Sequence, residues 1–433
     1  MKIHLYGNVL NNGYYLGLIF RKMGHEVVLF LDKDSPSAQD YPWWEDSSLN
    51  ESNLPYWIKF YDFKPNFFIS GLKEKAMINE FSNADVALVC SFGPIIAGKA
   101  NIPFVFYSYG EDLNIADTIR GLKRVINNLI RFRRPSGLLK YMTIGLLQRR
   151  YLHKASFIGI GMGYQIPYLK TLGLMNKFEK IKFAVNLDNF KFNLIPSLEL
   201  KYSKYHKVFF MISRHAWKSL WREATKGNDK FIRAFALYIE KYSPNVKLIL
   251  IDKGIDVCNS KKLIKQLGIE RYVEWVPEMN KDAIKNYLAL NNLIVVDQFS
   301  HDRWYKLYPE DKKSKLVRWY IKSKSKELLK HIKNEKLSII TFGTGSIEAM
   351  VAKKPLITTF TDFDFYNNEI PPHFNAFTEL EIFKSLEKIH KMSDFDLNEI
   401  GGESYDFIYR FHRYEVSAKI FINLLERALN MKK

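Results

Sequence analysis

The sequence predicts an α/β chain of two doubly wound, Rossmann-like halves, and three observations carry that prediction. Short apolar runs alternate with helix-period segments from residue 3 to residue 107. The same alternation restarts at residue 207 and continues to the apolar run at 355–359. Between the halves, 181–200 lacks clear periodicity and reads as a linker with Pro196 near its centre. Strand, helix and strand in regular succession imply parallel sheets with helical crossovers. A length of 433 residues is also more than one ordinary core accommodates.

In the first half, residues 3–7 read as a strand, 8–13 as a polar loop, 14–23 as a helix stopped by Gly24, and 26–31 as a second strand. The opening residues have a buried-strand pattern rather than that of a signal peptide. Gly7 and Gly13 lack the G-x-G-x-x-G spacing of a dinucleotide fingerprint. Gly13, at the end of the loop after the strand, remains a candidate ligand contact. Residues 34–63 are rich in Trp, Tyr and Pro; they read as a loop packed on the sheet, or alternatively as an aromatic platform for a sugar or lipid. Alternation resumes with a strand over 84–90, a helix over 94–100 and a strand over 103–107. The turn that follows holds Tyr109, Glu111 and Asp112 at a strand's carboxyl end, the edge at which open α/β sheets bind ligands. Two carboxylates there can carry protons or bind hydroxyls, and Asp112 can equally cap a helix.

The formal net charge is +19, which points to an anionic partner and carries no information about fold. Much of it lies in 118–178, a span without Asp or Glu that includes Arg124, Arg131, Arg133 and Arg134 among leucines and isoleucines. Such basic amphipathic segments suit an anionic membrane surface, where each cation contributes about 1 kcal/mol. A solvated face on ordinary packed helices is the alternative. No nucleic-acid motif accompanies the charge, so nucleic acid is not expected as a partner. No run of 18 to 20 apolar residues is present to span a bilayer. Cys90 and Cys258 are two and far apart, so neither a disulfide framework nor a zinc cluster is expected, and a reducing cytoplasm fits. The glycines of 157–163 superficially suggest a phosphate loop, but they give no clear helix entry, and a close-packed strand end explains them as well.

The second half gives strands over 207–212, 246–251, 272–276 and 293–296, with helices over 229–242, 260–267 and 282–288. A lysine-rich stretch, 300–336, interrupts it as a helical insertion. An apolar run, 337–342, then enters a loop with Gly343 and Gly345, and a helix bearing Glu348 leaves it. Strand, glycine loop and helix can aim backbone N–H groups at an anion. The same residues also suit a tight turn in which glycine only permits positive φ. Residues 403–429 read as one long terminal helix.

Two sets of residues resemble the nucleotide-sugar glycosyltransferases of the GT-B fold, in particular the retaining family 4 enzymes. Ile212-Ser213-Arg214 with Lys226-Gly227-Asn228 resembles that family's Gly-Arg…Lys-Gly segment, with Ser213 in the usual glycine position. Phe342-Gly343, Glu348-Ala349-Met350 and Lys354-Pro355 resemble its E-x-F-G-x-x-x-x-E-A-M segment and the following K-P strand. Ile340 stands where the family has its first glutamate, and Tyr109 where a histidine often lies. The resemblance implies an acceptor-binding domain over 1–195 with a basic insertion at about 113–155. It implies a donor-binding domain over 196–402 facing it across a cleft, and a helix over 403–433 returning to the first domain.

The resemblance also implies roles for these residues. Arg214 and Lys226 would neutralise a departing nucleoside diphosphate, and Glu348 would hold ribose hydroxyls. Phe342, Gly343, Thr344, Gly345 and Ser346 would line the donor site. No D-x-D pair has a suitable context, so neither metal nor cofactor is expected. The implied partners are a nucleotide sugar and a glycan or polyprenyl-linked acceptor, of the lipopolysaccharide or cell-surface polysaccharide kind. The setting would be the inner face of the cell membrane. A sugar-nucleotide epimerase of the same fold and a non-enzymatic scaffold are the competing readings.

Overall fold

A computed structural model describes residues 1–33, 40–44, 46, 48–61, 72–108, 113, 116, 136–162, 165–185, 187, 190–218, 226–299 and 341–431. The chain divides into two compact units, Met1–Asn186 with His412–Lys433, and Leu187–Phe411.

The first unit is a seven-stranded sheet of order β3-β2-β1-β4-β5-β6-β7. Its strands are β1 (Lys2–Tyr6), β2 (Glu26–Asp32), β3 (Ile58–Tyr61), β4 (Val86–Val89), β5 (Phe104–Ser108), β6 (Phe157–Ile160) and β7 (Phe178–Lys180). Every pairing is parallel, and Leu5 of β1 registers with Leu29 on one side and Leu88 on the other. The sequences of β4 (VALV) and β5 (FVFYS) are buried throughout, as parallel strands must be when helices cover both faces. Its helices are α1 (Asn12–Lys22), α2 (Leu72–Phe81), α3 (Gly93–Lys99), α4 (Ser136–Leu152) and α5 (Ile166–Leu172). Edge strand β3 comes from the aromatic stretch that reads as loop. Only four residues pair, so no alternation stands out, and Trp57 just before them stacks on Tyr14 at 5.8 Å. Gly159 in β6 lies under Ile181, where a Cβ would come within 2.7 Å, so close packing accounts for it.

The second unit is a six-stranded parallel sheet of order β10-β9-β8-β11-β12-β13. These are β8 (Lys207–Met211), β9 (Val246–Ile251), β10 (Val273–Val276), β11 (Leu293–Val296), β12 (Leu356–Thr358) and β13 (Phe374–Asn375). Its helices are α6 (Pro196–Tyr202), α7 (Asn228–Tyr242), α8 (Val257–Gln266), α9 (Lys281–Leu288), α10 (Thr344–Val351), α11 (Glu379–Lys391) and α12 (Asp394–His412). The core forms where Phe231, Phe235, Tyr238 and Ile239 of α7, at i, i+4, i+7 and i+8, pack on Phe209, Leu248 and Ile294. The strand order reverses between β8 and β11, so their carboxyl ends make the topological switch point.

Three expectations change. The stretch read as linker contains helix α6, because Pro196 at its start needs no N–H partner and presets φ. The unit boundary falls at 186/187 rather than 195/196. The terminal helical segment is two helices, α12 and α13 (Tyr414–Asn430), separated at Arg413 with ψ 140°. At that break His412 Nδ1–H donates to the Phe183 carbonyl at 2.6 Å, and Val185 N–H donates to the His412 carbonyl at 2.7 Å. From there α13 lies against the first unit, with Tyr414 on Tyr15 at 4.9 Å and Phe421 edge-on to Tyr107 at 4.8 Å. The insertion expected at 300–336, and residues 117–135 of the basic insertion, lie outside the described residues.

Candidate functional site

The switch point of the second unit gathers the residues after β8 and β11 with the start of α7 and of α10. Arg214 lies exposed three residues beyond β8. Its neighbour His215 is fully buried and anchors the loop. Trp217 Nε1–H donates to Ser260 Oγ at 2.9 Å, which leaves the serine hydroxyl to donate to His215 Nδ1 at 2.8 Å. Burial pushes the His215 pKa down to about 4, so the ring is neutral at physiological pH. The Asp256 carboxylate accepts the Trp217 and Lys218 N–H groups at 2.7 and 2.8 Å. Arg214 thus projects from a loop held at both ends.

Lys226 is joined to the same edge by its backbone and its side chain. Its N–H donates to the Ala216 carbonyl at 2.5 Å, and its own carbonyl accepts from Phe299 N–H at 2.9 Å. Gly227 follows at φ +61°, against Phe299, and turns the chain into α7. The Lys226 ammonium donates to Gln298 Oε1 at 2.5 Å, while Gln298 Nε2 donates to the Thr341 carbonyl at 2.8 Å. Burial lowers the Lys226 pKa; the Arg214 charge lowers it further and Asp297 opposes the fall.

The glycine loop is fastened by Asp297, the first residue past β11. Its buried carboxylate accepts from Ser346 N–H at 3.1 Å and Ser346 Oγ–H at 2.5 Å, capping α10 from outside the helix. The loop glycines are required for space, not for positive φ. Gly343 has φ −76°, and a Cβ would meet Asp297 Oδ2 at 2.9 Å; at Gly345 it would meet Ile212 Cγ2 at 2.5 Å. Among the described residues the Thr344 and Gly345 N–H groups, at the first two helical positions, have no acceptor. One turn on, Glu348 Oε1 lies 3.6 Å from Lys281 Nζ at the start of α9, both side chains being mostly buried.

No protein-family model matches the sequence, and neither does any curated protein. Solved structures do match along the whole chain. Anabaena HepE, in complex with UDP and glucose, is 15% identical with a TM-score of 0.61, covering 99% of this chain and 100% of that one. Sucrose-phosphate synthase from Thermosynechococcus elongatus is 12% identical with a TM-score of 0.61, both chains being covered in full, 100% each. The lipopolysaccharide outer core galactosyltransferase WaaB is 12% identical with a TM-score of 0.53, with 99% of each chain covered. The fold is GT-B.

Within this GT-B chain, Arg214, Lys226, Thr344 and Gly345 converge on one sheet edge, while two expected donor contacts are engaged elsewhere. The Ser346 N–H and hydroxyl are committed to Asp297. Phe342 is buried, stacked on Phe360 at 4.3 Å, and supports the loop from beneath. Thr341 and Phe342 are not strand; β11 is the sheet strand that feeds the loop. The physical reason is the insertion, which separates β11 in sequence from the helix that completes its βα turn. Gly13 is buried in α1, where a Cβ would meet the Gly7 carbonyl at 2.4 Å. Tyr109, Glu111, Asp112, Arg124, Arg131, Arg133, Arg134 and Ile340 lie outside the described residues. Sequence reading gave no role to Asp297, Gln298 or Lys281. An acid immediately after an all-apolar strand was the available signal for Asp297.

Proposed function

We propose that the chain transfers a glycosyl group from a nucleoside-diphosphate sugar to a hydroxyl of a glycan or lipid-linked acceptor. The observation that carries this is the convergence of Arg214, Lys226 and the first N–H groups of α10 at the β8/β11 switch point. Cations and a helix start at such an edge suit a diphosphate. The acceptor oxygen would bond to the anomeric carbon as that carbon's bond to phosphate breaks. The electron pair leaves with the nucleoside diphosphate, and the acceptor proton passes to that leaving group or to solvent. Arg214 offers bidentate hydrogen bonds, Lys226 a point charge, and Thr344 and Gly345 two backbone donors to the charge that develops. Glu348 would accept hydrogen bonds from ribose hydroxyls. We assign retention of configuration on the family resemblance. We assign no metal and no cofactor, because these groups meet the leaving charge themselves.

For the acceptor side we propose peripheral association with the anionic inner face of the cell membrane, consistent with a cytoplasmic cell-surface polysaccharide enzyme. On α4, exposed Leu146 precedes Arg149 and Arg150 by one turn, an apolar and cationic combination suited to a lipid interface. No helix among the described residues is long and apolar enough to cross a membrane.

The direct test is nucleoside-diphosphate release from UDP-, GDP-, ADP- and TDP-sugars, with and without acceptor glycolipids. Turnover of one donor, lost in Arg214→Ala and Glu348→Ala and unchanged by EDTA, is expected. A full panel without turnover or binding refutes the reading. Indifference to anionic vesicles at low salt refutes the membrane part alone.

A further inference from the structure

We propose that Lys281 is a donor-recognition residue which, with Glu348, reads the vicinal diol of a ribose. The chain would then select ribonucleoside diphosphates over their 2′-deoxy counterparts. This rests on the donor-site reading above and narrows it to a substrate class.

The position is a costly one for a cation. Lys281 is the first residue of α9, whose N-cap Asn280 accepts the Ala283 N–H at 2.9 Å. There its charge faces the positive end of the helix dipole, where Asp or Glu is favoured. Its side chain is only 12% exposed. A second ammonium, Lys285, shares the Phe190 ring with it, at 5.7 Å against 4.9 Å for Lys281. Lys285 has its own carboxylate, Asp282, at 3.0 Å. Helix end, burial and like charge disfavour an ammonium at 281, and the face of Phe190 and the Glu348 carboxylate favour it. What the ammonium adds is a donor 3.6 Å from the Glu348 carboxylate.

That pairing matches a diol. Each sugar hydroxyl is both donor and acceptor, a carboxylate only accepts, and an ammonium only donates. Glu348 alone can take the two hydroxyl protons but leaves the oxygen lone pairs unserved. Lys281 beside it supplies the complementary donor to the same two oxygens. A 2′-deoxyribose would leave part of this charged pair without its partner, and sites built to hydrogen-bond a hydroxyl reject analogues that lack it. Deoxythymidine diphosphate sugars would be excluded on this ground.

The test is calorimetric binding of UDP, GDP and ADP, each against its 2′-deoxy form, to the full chain and to Lys281→Met. Whichever base binds, the wild-type protein should prefer the ribose form by about tenfold or more, the equivalent of about 1.4 kcal/mol. Lys281→Met should lose that preference by weakening the ribose form more than the 2′-deoxy form, which presents only the 3′-hydroxyl; its residual binding of the 2′-deoxy form shows that it is folded. Equal wild-type affinity for ribose and deoxyribose forms overturns the proposal whatever the variant does, as does a variant weakened equally for both or for neither. A wild-type protein that binds none of the six nucleotides overturns the donor-site reading as well. Binding with normal loss in Glu348→Ala but no effect of Lys281→Met overturns this inference only.

Discussion

Replacing Asp297 should loosen the glycine loop, and the size of the effect can be worked from its contacts. One carboxylate oxygen accepts both the N–H and the hydroxyl of Ser346, which is itself fully buried. In Asp297→Ala both donors stay buried without an acceptor. Hydrogen bonds to a charged group contribute about 1.5–3 kcal/mol each, and losing a helix cap costs about 0.5–2 kcal/mol. These overlap, so a local loss of about 3–5 kcal/mol is expected. Asp297→Asn keeps a neutral acceptor and should cost about 1–2 kcal/mol, because only the charge-assisted part is removed. Native-state hydrogen exchange at the α10 amides is the assay, since two units make global unfolding a poor two-state measure. Exchange within about 0.5 kcal/mol of wild type in Asp297→Ala would refute the role given to this carboxylate. Both variants should also lower the Lys226 pKa further, because Asp297 is the neighbour that raises it.

At Gly345, alanine would place its Cβ 2.5 Å from Ile212 Cγ2 and should cost about 1–3 kcal/mol; adding Ile212→Ala should recover most of that loss in a double-mutant cycle. Nucleotide affinity should fall with rising pH, starting below the ordinary lysine range. A bound diphosphate raises the lowered Lys226 pKa, so binding is strongest below the free value and is lost as pH climbs through it; calorimetry from pH 6 to 10 reads this, and Lys226→Met should flatten it. Acid should destabilise the chain, because burial pushes His4, His215, His373 and His412 down to about 4 each. Their folded forms are neutral, so their contribution is complete above about pH 6.5 and is lost as pH falls toward 4. The slope approaches about 1.4 kcal/mol per pH unit for each histidine. Urea midpoints across that window check it, and His412→Asn should shallow the slope.

What the sequence determined by itself was the alternation. Burying parallel strands on both faces demands continuous apolar runs such as 86–89, 208–211 and 293–296, and crossover helices show their 3.6-residue period. Both are local signals. The cationic edge was legible through the family resemblance alone: Arg214 lies three residues past β8, while Lys226 and the glycine loop each lie just before a helix, far in sequence from the strand whose end they join.

Only the tertiary structure decided which groups at that edge are free and which are engaged. Asp297 and Ser346 are 49 residues apart, Lys281 and Glu348 are 67 apart, and neither pairing leaves a mark on periodicity. The glycines were visible in sequence, but their reason was not. Positive φ is a property of one residue, whereas the space above Gly343 and Gly345 is taken by Asp297 and Ile212, the first residues past β11 and β8. The break at Arg413 likewise follows from contacts of His412 and Val185 across more than two hundred residues, not from any helix breaker in the segment itself.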